Sequence, residues 1–232
     1  MLSSFGGSLV DYFIKGGFIM YPLLLCSIIG LIVIIERSIV LHRVKVNTAQ
    51  IFGMVRQALM KHDLKAAIAT CDSNPSPISD TMRAGLLRFG KAAPDIEKAM
   101  ESVALHEISK LERGLWILAT VANIAPLMGF LGTVAGMIES FGVLAELGLG
   151  NPKAVADGIS KALITTAYGL SIAFPVQAAY NYFTSRISSF ALDMETSSAM
   201  LLEAFTELEE MPREAPAIGR NVNVIVEPQP AS

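Results

Sequence analysis

Charge is absent from three long blocks of this 232-residue chain, and those blocks set the reading. Gly16 to Ile35 is a run of 20 uncharged residues, Gly114 to Ile138 one of 25, and Ala162 to Ser185 one of 24. A helix rises about 1.5 Å per residue, so about 20 apolar residues cross a hydrocarbon core about 30 Å thick. The pattern predicts an all-α integral membrane protein with three transmembrane helices, at 16–35, 114–141 and 162–185. Around them lie a short N-terminal segment (1–15), a cytoplasmic helical domain (36–113), a short loop (142–161), a C-terminal helix (186–211) and a flexible tail (212–232). The first block reads as an anchor and not as a cleaved signal peptide. Asp11 flanks it, it is too long, and Glu36-Arg37-Ser38 follows in place of a small-residue cleavage site.

Helical periodicity continues into the polar parts. Asp80 to Phe89 is apolar at helical spacing and ends at Gly90, a plausible C-cap. Pro94-Asp95-Ile96-Glu97 has the proline and acids of a helix start. From there Met100, Val103, Ala104, Ile108, Leu111 and Leu115 hold one face without a breaker, which predicts a single helix running from the cytoplasm into the second span. The interleaved charges from Glu97 to Arg113 read as a solvated face with i,i+4 pairs. Beyond the third span, Ile187, Phe190, Ala191, Met194, Leu201, Phe205 and Leu208 make a further stripe that extends the helix until Pro212. In the tail, Val222 to Val226 reads as a short contact strand or as part of a disordered segment.

Composition narrows the function. Hydrophobic residues make up 52% of the chain and charged residues 17%, against about 25% charge in a soluble domain. The net charge of −3 and the lack of a basic face argue against nucleic-acid binding. Cys26 and Cys71 make neither a disulfide framework nor a metal site. His106-Glu107 has Lys110 where a zinc helix needs a second histidine. No span holds a nucleophile–base pair, so the chain reads as a non-enzyme without cofactors. Near the membrane, Arg37, Arg43, Lys45, Lys110, Arg113 and Arg186 outweigh Lys15, Lys153 and Lys161, which predicts a cytoplasmic large loop and C-terminus and a periplasmic N-terminus.

The second and third spans are unlike plain anchors. The second carries Asn123, Pro126, Gly129, Gly132, Thr133 and Gly136, with Glu139 and Ser140 at its outer end. Gly132 and Gly136 form a small-xxx-small pair that lets another backbone come close. The third places Ala162, Thr166, Gly169, Ala173 and Gln177 on one stripe, with Thr165 and Tyr168 beside it. Pro175 removes a ladder bond and leaves a carbonyl near Ser171 free, so a kink or a locally satisfied break is expected. A threonine in a membrane helix can simply bond its own i−4 carbonyl. In the second span Thr133, Gly136, Met137 and Ser140 share one narrow, hydroxyl-lined side at spacings of three and four. Two threonines on facing small-residue stripes also suit a polar crevice where an ion-carrying group moves. No span has a carboxylate at mid-depth; Glu139 lies near the rim. Either the chain moves no ions, or a partner brings the acid.

Several runs together carry a resemblance: Met20-Tyr21-Pro22-Leu23, Ile34-Ile35-Glu36-Arg37, Ala125-Pro126-Leu127-Met128-Gly129-Phe130-Leu131-Gly132-Thr133-Val134-Ala135-Gly136, and Ala162-Leu163-Ile164-Thr165-Thr166-Ala167-Tyr168-Gly169-Leu170 with Pro175. Over about residues 10 to 205 the chain resembles the MotA/TolQ/ExbB proton-channel family, and its three spans resemble the ExbB and TolQ branch. The resemblance implies a homopentamer around two copies of a single-span ExbD- or TolR-like partner whose aspartate takes the ion, H+ or alternatively Na+. It implies an ion pathway at Thr133 and Thr166, with Thr165 beside them, and work delivered to a TonB- or TolA-like component at the bacterial inner membrane. A gliding-type stator and a non-conducting scaffold remain as alternatives. One position departs from the pattern: Lys161 stands where many members of this branch have glutamate. It would either repel cations at the pore rim or snorkel to head groups and pair with Asp157 or a partner carboxylate. Tyr168 stands where a small residue is common, either narrowing the pore or filling a helix gap.

Overall fold

The computed structural model describes residues 13–44, 48–148 and 152–210. All regular structure among them is helical. In chain order the helices are α1 (Met20–Arg43), α2 (Thr48–Met60), α3 (Leu64–Ser73), α4 (Pro77–Leu86), α5 (Ala93–Glu112), α6 (Leu115–Leu147) and α7 (Pro152–Glu210). The 212–232 tail, with Pro212 and the Val222–Val226 run, lies outside the described residues, as do residues 1–12 of the N-terminal segment.

Three helices, α1, α6 and α7, are long and apolar enough to cross a membrane. Their outward faces carry large apolar side chains, among them Leu25, Ile32, Leu127, Phe130, Leu163 and Phe174. A helix apolar all round needs lipid or protein on every side. The apolar runs end before the helices do. α6 continues to Leu147 and α7 begins at Pro152, so most of the 142–161 stretch expected as a loop is helical. No breaker precedes Gly148, the C-cap with φ 62°, and Pro152 suits a first turn. α7 is 59 residues long, about 88 Å, and carries the third block straight into the polar domain. It is assigned as one helix through Pro175, as α6 is through Pro126.

The helical domain between the first two spans packs on the far end of α7. Val55, Leu59, Cys71, Ile78, Met82, Leu86 and Met100 meet Met194, Leu201 and Phe205 in one buried cluster. Local signals set its helix starts. The Asp63 carboxylate accepts from the Ala66 N–H at 2.9 Å, and Ser76 Oγ accepts from the Ser79 N–H at 3.1 Å ahead of Pro77. That second cap moves α4 three residues upstream of the expected Asp80 start. Turns then lead from Leu86 to Gly90, which has φ +83°.

The expected single helix into the second span is broken. α5 ends at Glu112, Gly114 takes φ +87°, and α6 starts afresh at Leu115. Arg37 of α1 occupies the elbow. Its guanidinium lies 3.7–3.9 Å from the point where a Cβ on Gly114 would sit, and Nη1 donates to the Leu111 carbonyl at 3.4 Å. Arg37 is 6% exposed, and its other partner is the Glu36 carboxylate at 2.8 Å. A cation at the carbonyl end of α5 is favourably placed for the helix dipole.

Candidate functional site

Among the described helices α6 and α7 pair most extensively, and small residues make it possible. Ala125, Gly129, Gly132, Gly136 and Ser140 of α6 are buried against Gly158, Ala162, Thr165, Gly169 and Ala173 of α7. The two backbones touch: a Cβ on Gly129 would meet the Thr165 carbonyl oxygen at 3.0 Å and the Cα of Thr166 at 3.1 Å. Gly132 faces the Thr165 hydroxyl, and Gly136 sits against the Gly158 carbonyl and the Ala162 methyl. Such contact lets carbonyls of one helix serve side chains of the other.

That exchange happens at the threonines. Thr166 Oγ1 donates to the Gly129 carbonyl across the seam at 3.1 Å, against 3.4 Å to its own Ala162 carbonyl. Thr133 Oγ1 lies 3.3 Å from the Ala162 carbonyl across the seam and 3.4 Å from its own Gly129 carbonyl. The hydroxyls of Thr133 and Thr166 also contact each other. Both side chains are half-buried, at the edge of the seam and not inside it. Thr120 and Ser171, elsewhere in the spans, donate to their own i−4 carbonyls at 2.8 and 2.7 Å.

Thr165 differs from its neighbour. It is 1% exposed and donates to its own Ala162 carbonyl at 2.8 Å. Gln177, placed with Thr166 by spacing, is exposed and donates to Asn181 Oδ1 at 2.9 Å. The buried stripe of α7 therefore runs through Thr165 and leaves Gln177 outside. Pro126 is half-buried on α6 and Pro175 exposed on α7, both away from the hydroxyl pair along the chain. Tyr168 packs beside the Met20, Leu23, Ala125 and Ala173 cluster and so fills space between helices.

The two rim charges meet. Lys161 Nζ lies 2.8 Å from Glu139 Oε2, a pairing outside the readings of Lys161 as a cation-repelling rim charge, a snorkelling side chain or a partner of Asp157 or of a carboxylate from another chain. Glu139 and Lys161 lie six residues after Thr133 and five before Thr166, at one end of the seam. Among the described residues no cluster of histidine, cysteine or carboxylate side chains could hold a metal.

Sequence spacing puts Ser140 at the outer end of the second span, on one side with Thr133 and Gly136, and misses two participants, Gly114 and Arg37. Ser140 is buried and donates to the Gly136 carbonyl at 2.8 Å and to the Val155 carbonyl of α7 at 3.3 Å, closing the seam beyond Gly136. Gly114 and Arg37 form the elbow at the opposite end. A glycine between the charged Glu112-Arg113 and an apolar run was the available signal for the break; nothing in the spacing distinguished Arg37 from the other membrane-margin cations.

The relatives agree with this architecture. The chain is 34% identical over 185 residues to a putative biopolymer transport protein ExbB homolog of Methanothermobacter thermautotrophicus, covering 79% of this chain and 66% of that protein. It is 37% identical over 138 residues to the Tol-Pal system protein TolQ of Pseudomonas aeruginosa, covering 53% and 60%. The chain thus spans less than two thirds of the length of each. The fold resembles a solved C. jejuni MotAB structure with a TM-score of 0.57 at 18% identity, covering 93% of this chain and 91% of the other. Residues 73–196 match the MotA/TolQ/ExbB proton channel family. With its three apolar helices and its ExbB and TolQ relatives, the chain is a multi-pass membrane protein that belongs to the MotA/TolQ/ExbB proton channel family, on its ExbB/TolQ branch.

Proposed function

We propose that this chain is the ring-forming subunit of an ion-driven energy-transducing complex in the bacterial inner membrane. Five copies would surround two copies of a single-span partner of the ExbD or TolR kind, with the N-terminus periplasmic and the C-terminus cytoplasmic. The ion is the proton. The work goes to a TonB- or TolA-like component acting on the outer membrane.

The Thr133–Thr166 hydroxyl pair carries this reading. Each hydroxyl has one proton to donate and lone pairs to accept. At rest these two protons are shared among the Gly129 carbonyl, the Ala162 carbonyl and the facing hydroxyl. A partner carboxylate arriving at the edge of the seam would draw those protons towards itself. When it takes up a proton and loses its charge, the hydroxyls return to the carbonyls. Neither state strands a donor in hydrocarbon, where an unsatisfied polar group costs several kcal/mol. One charge moved through 100 mV supplies about 2.3 kcal/mol, so mechanical work requires repeated transfers. The chain supplies no acid at that depth, which suits a mechanism in which the partner carries it.

The test has two parts. The native mass of the detergent-purified protein, alone and with the single-span partner, should be that of a pentamer that captures the partner. Thr166→Val in that ring should abolish transduction. Full activity of the variant would remove the hydroxyls from the mechanism, and a monomer indifferent to the partner would leave a scaffold role as the better account.

A further inference from the structure

We infer that the Lys161–Glu139 ion pair is a charge-neutral mouth to the hydroxyl crevice, and that its ammonium selects against free metal cations in favour of the proton. The inference rests on the ion-pathway reading above. Lys161 Nζ and Glu139 Oε2 are 2.8 Å apart and join α7 to α6 about two helical turns short of the hairpin turn. Their side chains are 37% and 58% exposed on the single chain. Lys161 immediately precedes Ala162, whose carbonyl takes the Thr133, Thr165 and Thr166 hydroxyls. Five helical residues separate Lys161 from Thr166, a rise of about 7.5 Å.

The Lys161 side chain also packs against the start of α1. Gly17, at the entry to α1 with φ +73°, lies so close that a Cβ there would meet Lys161 Cε at 2.7 Å and Nζ at 3.4 Å. Lys161, on α7, therefore meets α6 and the segment that leads into α1. Glu139 is the single acid between Arg113 and Glu146 in the sequence. Alone it would gather any cation. Paired, it presents no net charge.

Removing the ammonium would leave the Glu139 charge uncompensated, and one unit charge about 8 Å away changes the local concentration of a monovalent cation about 30-fold at an effective dielectric of about 20, a figure that solvent lowers. Protons and sodium ions lose the same factor. A proton on the partner carboxylate is held by an O–H bond, and the resulting acid is neutral. A sodium ion would be held only by hydroxyl, carbonyl and carboxylate oxygens and keeps its full charge beside the ammonium. The factor therefore takes sodium out of range first.

The experiment uses the complex with its one-span partner in proteoliposomes, reading proton flux at graded sodium chloride against potassium chloride. Wild type should conduct protons indifferent to sodium. Lys161→Gln should let sodium compete, with an apparent sodium affinity about 5- to 30-fold higher, while Lys161→Arg should behave as wild type. The charge-exchanged Lys161→Glu/Glu139→Lys double variant should restore sodium exclusion, which a merely structural role for the pair would not require. Glu139→Gln, leaving the ammonium unpaired, should lower proton flux and remain sodium-blind, and it keeps the question answerable where Lys161→Gln rings do not assemble. A sodium response unchanged in Lys161→Gln rings of native mass, or gained in Glu139→Gln, would overturn the inference while leaving the ion pathway standing. A wild-type complex that moves no proton would sink both.

Discussion

Gly169 lies under the carbonyl of Ala125: a methyl group on Gly169 would meet that oxygen at 2.6 Å and the Cα of Gly129 at 3.1 Å. Neither neighbour is a side chain that can turn aside, so a larger residue must push α6 and α7 apart. Gly169→Ala should cost about 1–3 kcal/mol and separate the Thr133 and Thr166 hydroxyls from the facing carbonyls. Gly142, on the same hairpin, has nothing within 4 Å of its own added Cβ. Gly142→Ala should be neutral or stabilising by up to about 1 kcal/mol from helix propensity. Thermal dissociation of the detergent-solubilised protein compares the two, and equal midpoints would contradict the close-packed seam.

The elbow at Gly114 makes a second comparison. Alanine at φ +87° is strained by about 1–2 kcal/mol whatever space surrounds it. Arg37→Met removes the donor to the Leu111 carbonyl and should cost about 1–3 kcal/mol. The guanidinium and Gly114 are neighbours, so the two changes should not add. A double-mutant cycle on unfolding midpoints measures the coupling. Strict additivity would mean that Arg37 does not hold the elbow.

The chain spells out its spans because hydrocarbon imposes a length and forbids charge, and both constraints show in one dimension. The seam was half legible. Small residues at spacings of three and four pointed to Gly132, Gly136 and Gly169, but whether Thr165 or Thr166 faces inward turns on about 100° of helix rotation that spacing alone does not fix. The elbow was masked, despite the signal of Gly114, because a periodic apolar face continues across it: Leu111 and Leu115 are both buried although they belong to different helices. The Lys161–Glu139 pair joins residues 22 apart and follows from how the hairpin closes.

Cys71 offers a pH test in the helical domain. It is 2% exposed, and burial, with the Asp72 carboxylate beside it, pushes its thiol up to about 11. The unfolded thiol ionises near 9, so between about 9 and 11 the folded state holds more protons than the unfolded one. Stability should therefore be unaffected by this group below about pH 8 and fall as pH rises through that window. A Cys71→Ala variant should lose about 1 kcal/mol at pH 7 and lack this decline. Maleimide labelling in a Cys26→Ala background should be slow at pH 7.5 and accelerate only on unfolding. Fast labelling of the folded protein would mean that the α3–α4 core opens readily.

The adjacent threonines should separate under substitution. Thr165 is sealed in the seam, bonded to its own helix and faced by Gly132. Valine matches its shape, so Thr165→Val forfeits one hydrogen bond, about 1 kcal/mol, and leaves the accessible edge unchanged. Thr166 makes its shorter bond across the seam and stands half-exposed beside Thr133. Thr166→Val should leave the ring nearly as stable and stop ion flux, whereas Thr166→Ser, keeping the hydroxyl, should retain flux. Thr133→Val should match Thr166→Val, because a carboxylate at that edge needs both donors. Proton flux into vesicles, normalised to rings of native mass, reads all four variants. Loss of flux in Thr165→Val together with full flux in Thr166→Val would mean that the working hydroxyl lies inside the seam, with the edge pair serving only to join the helices.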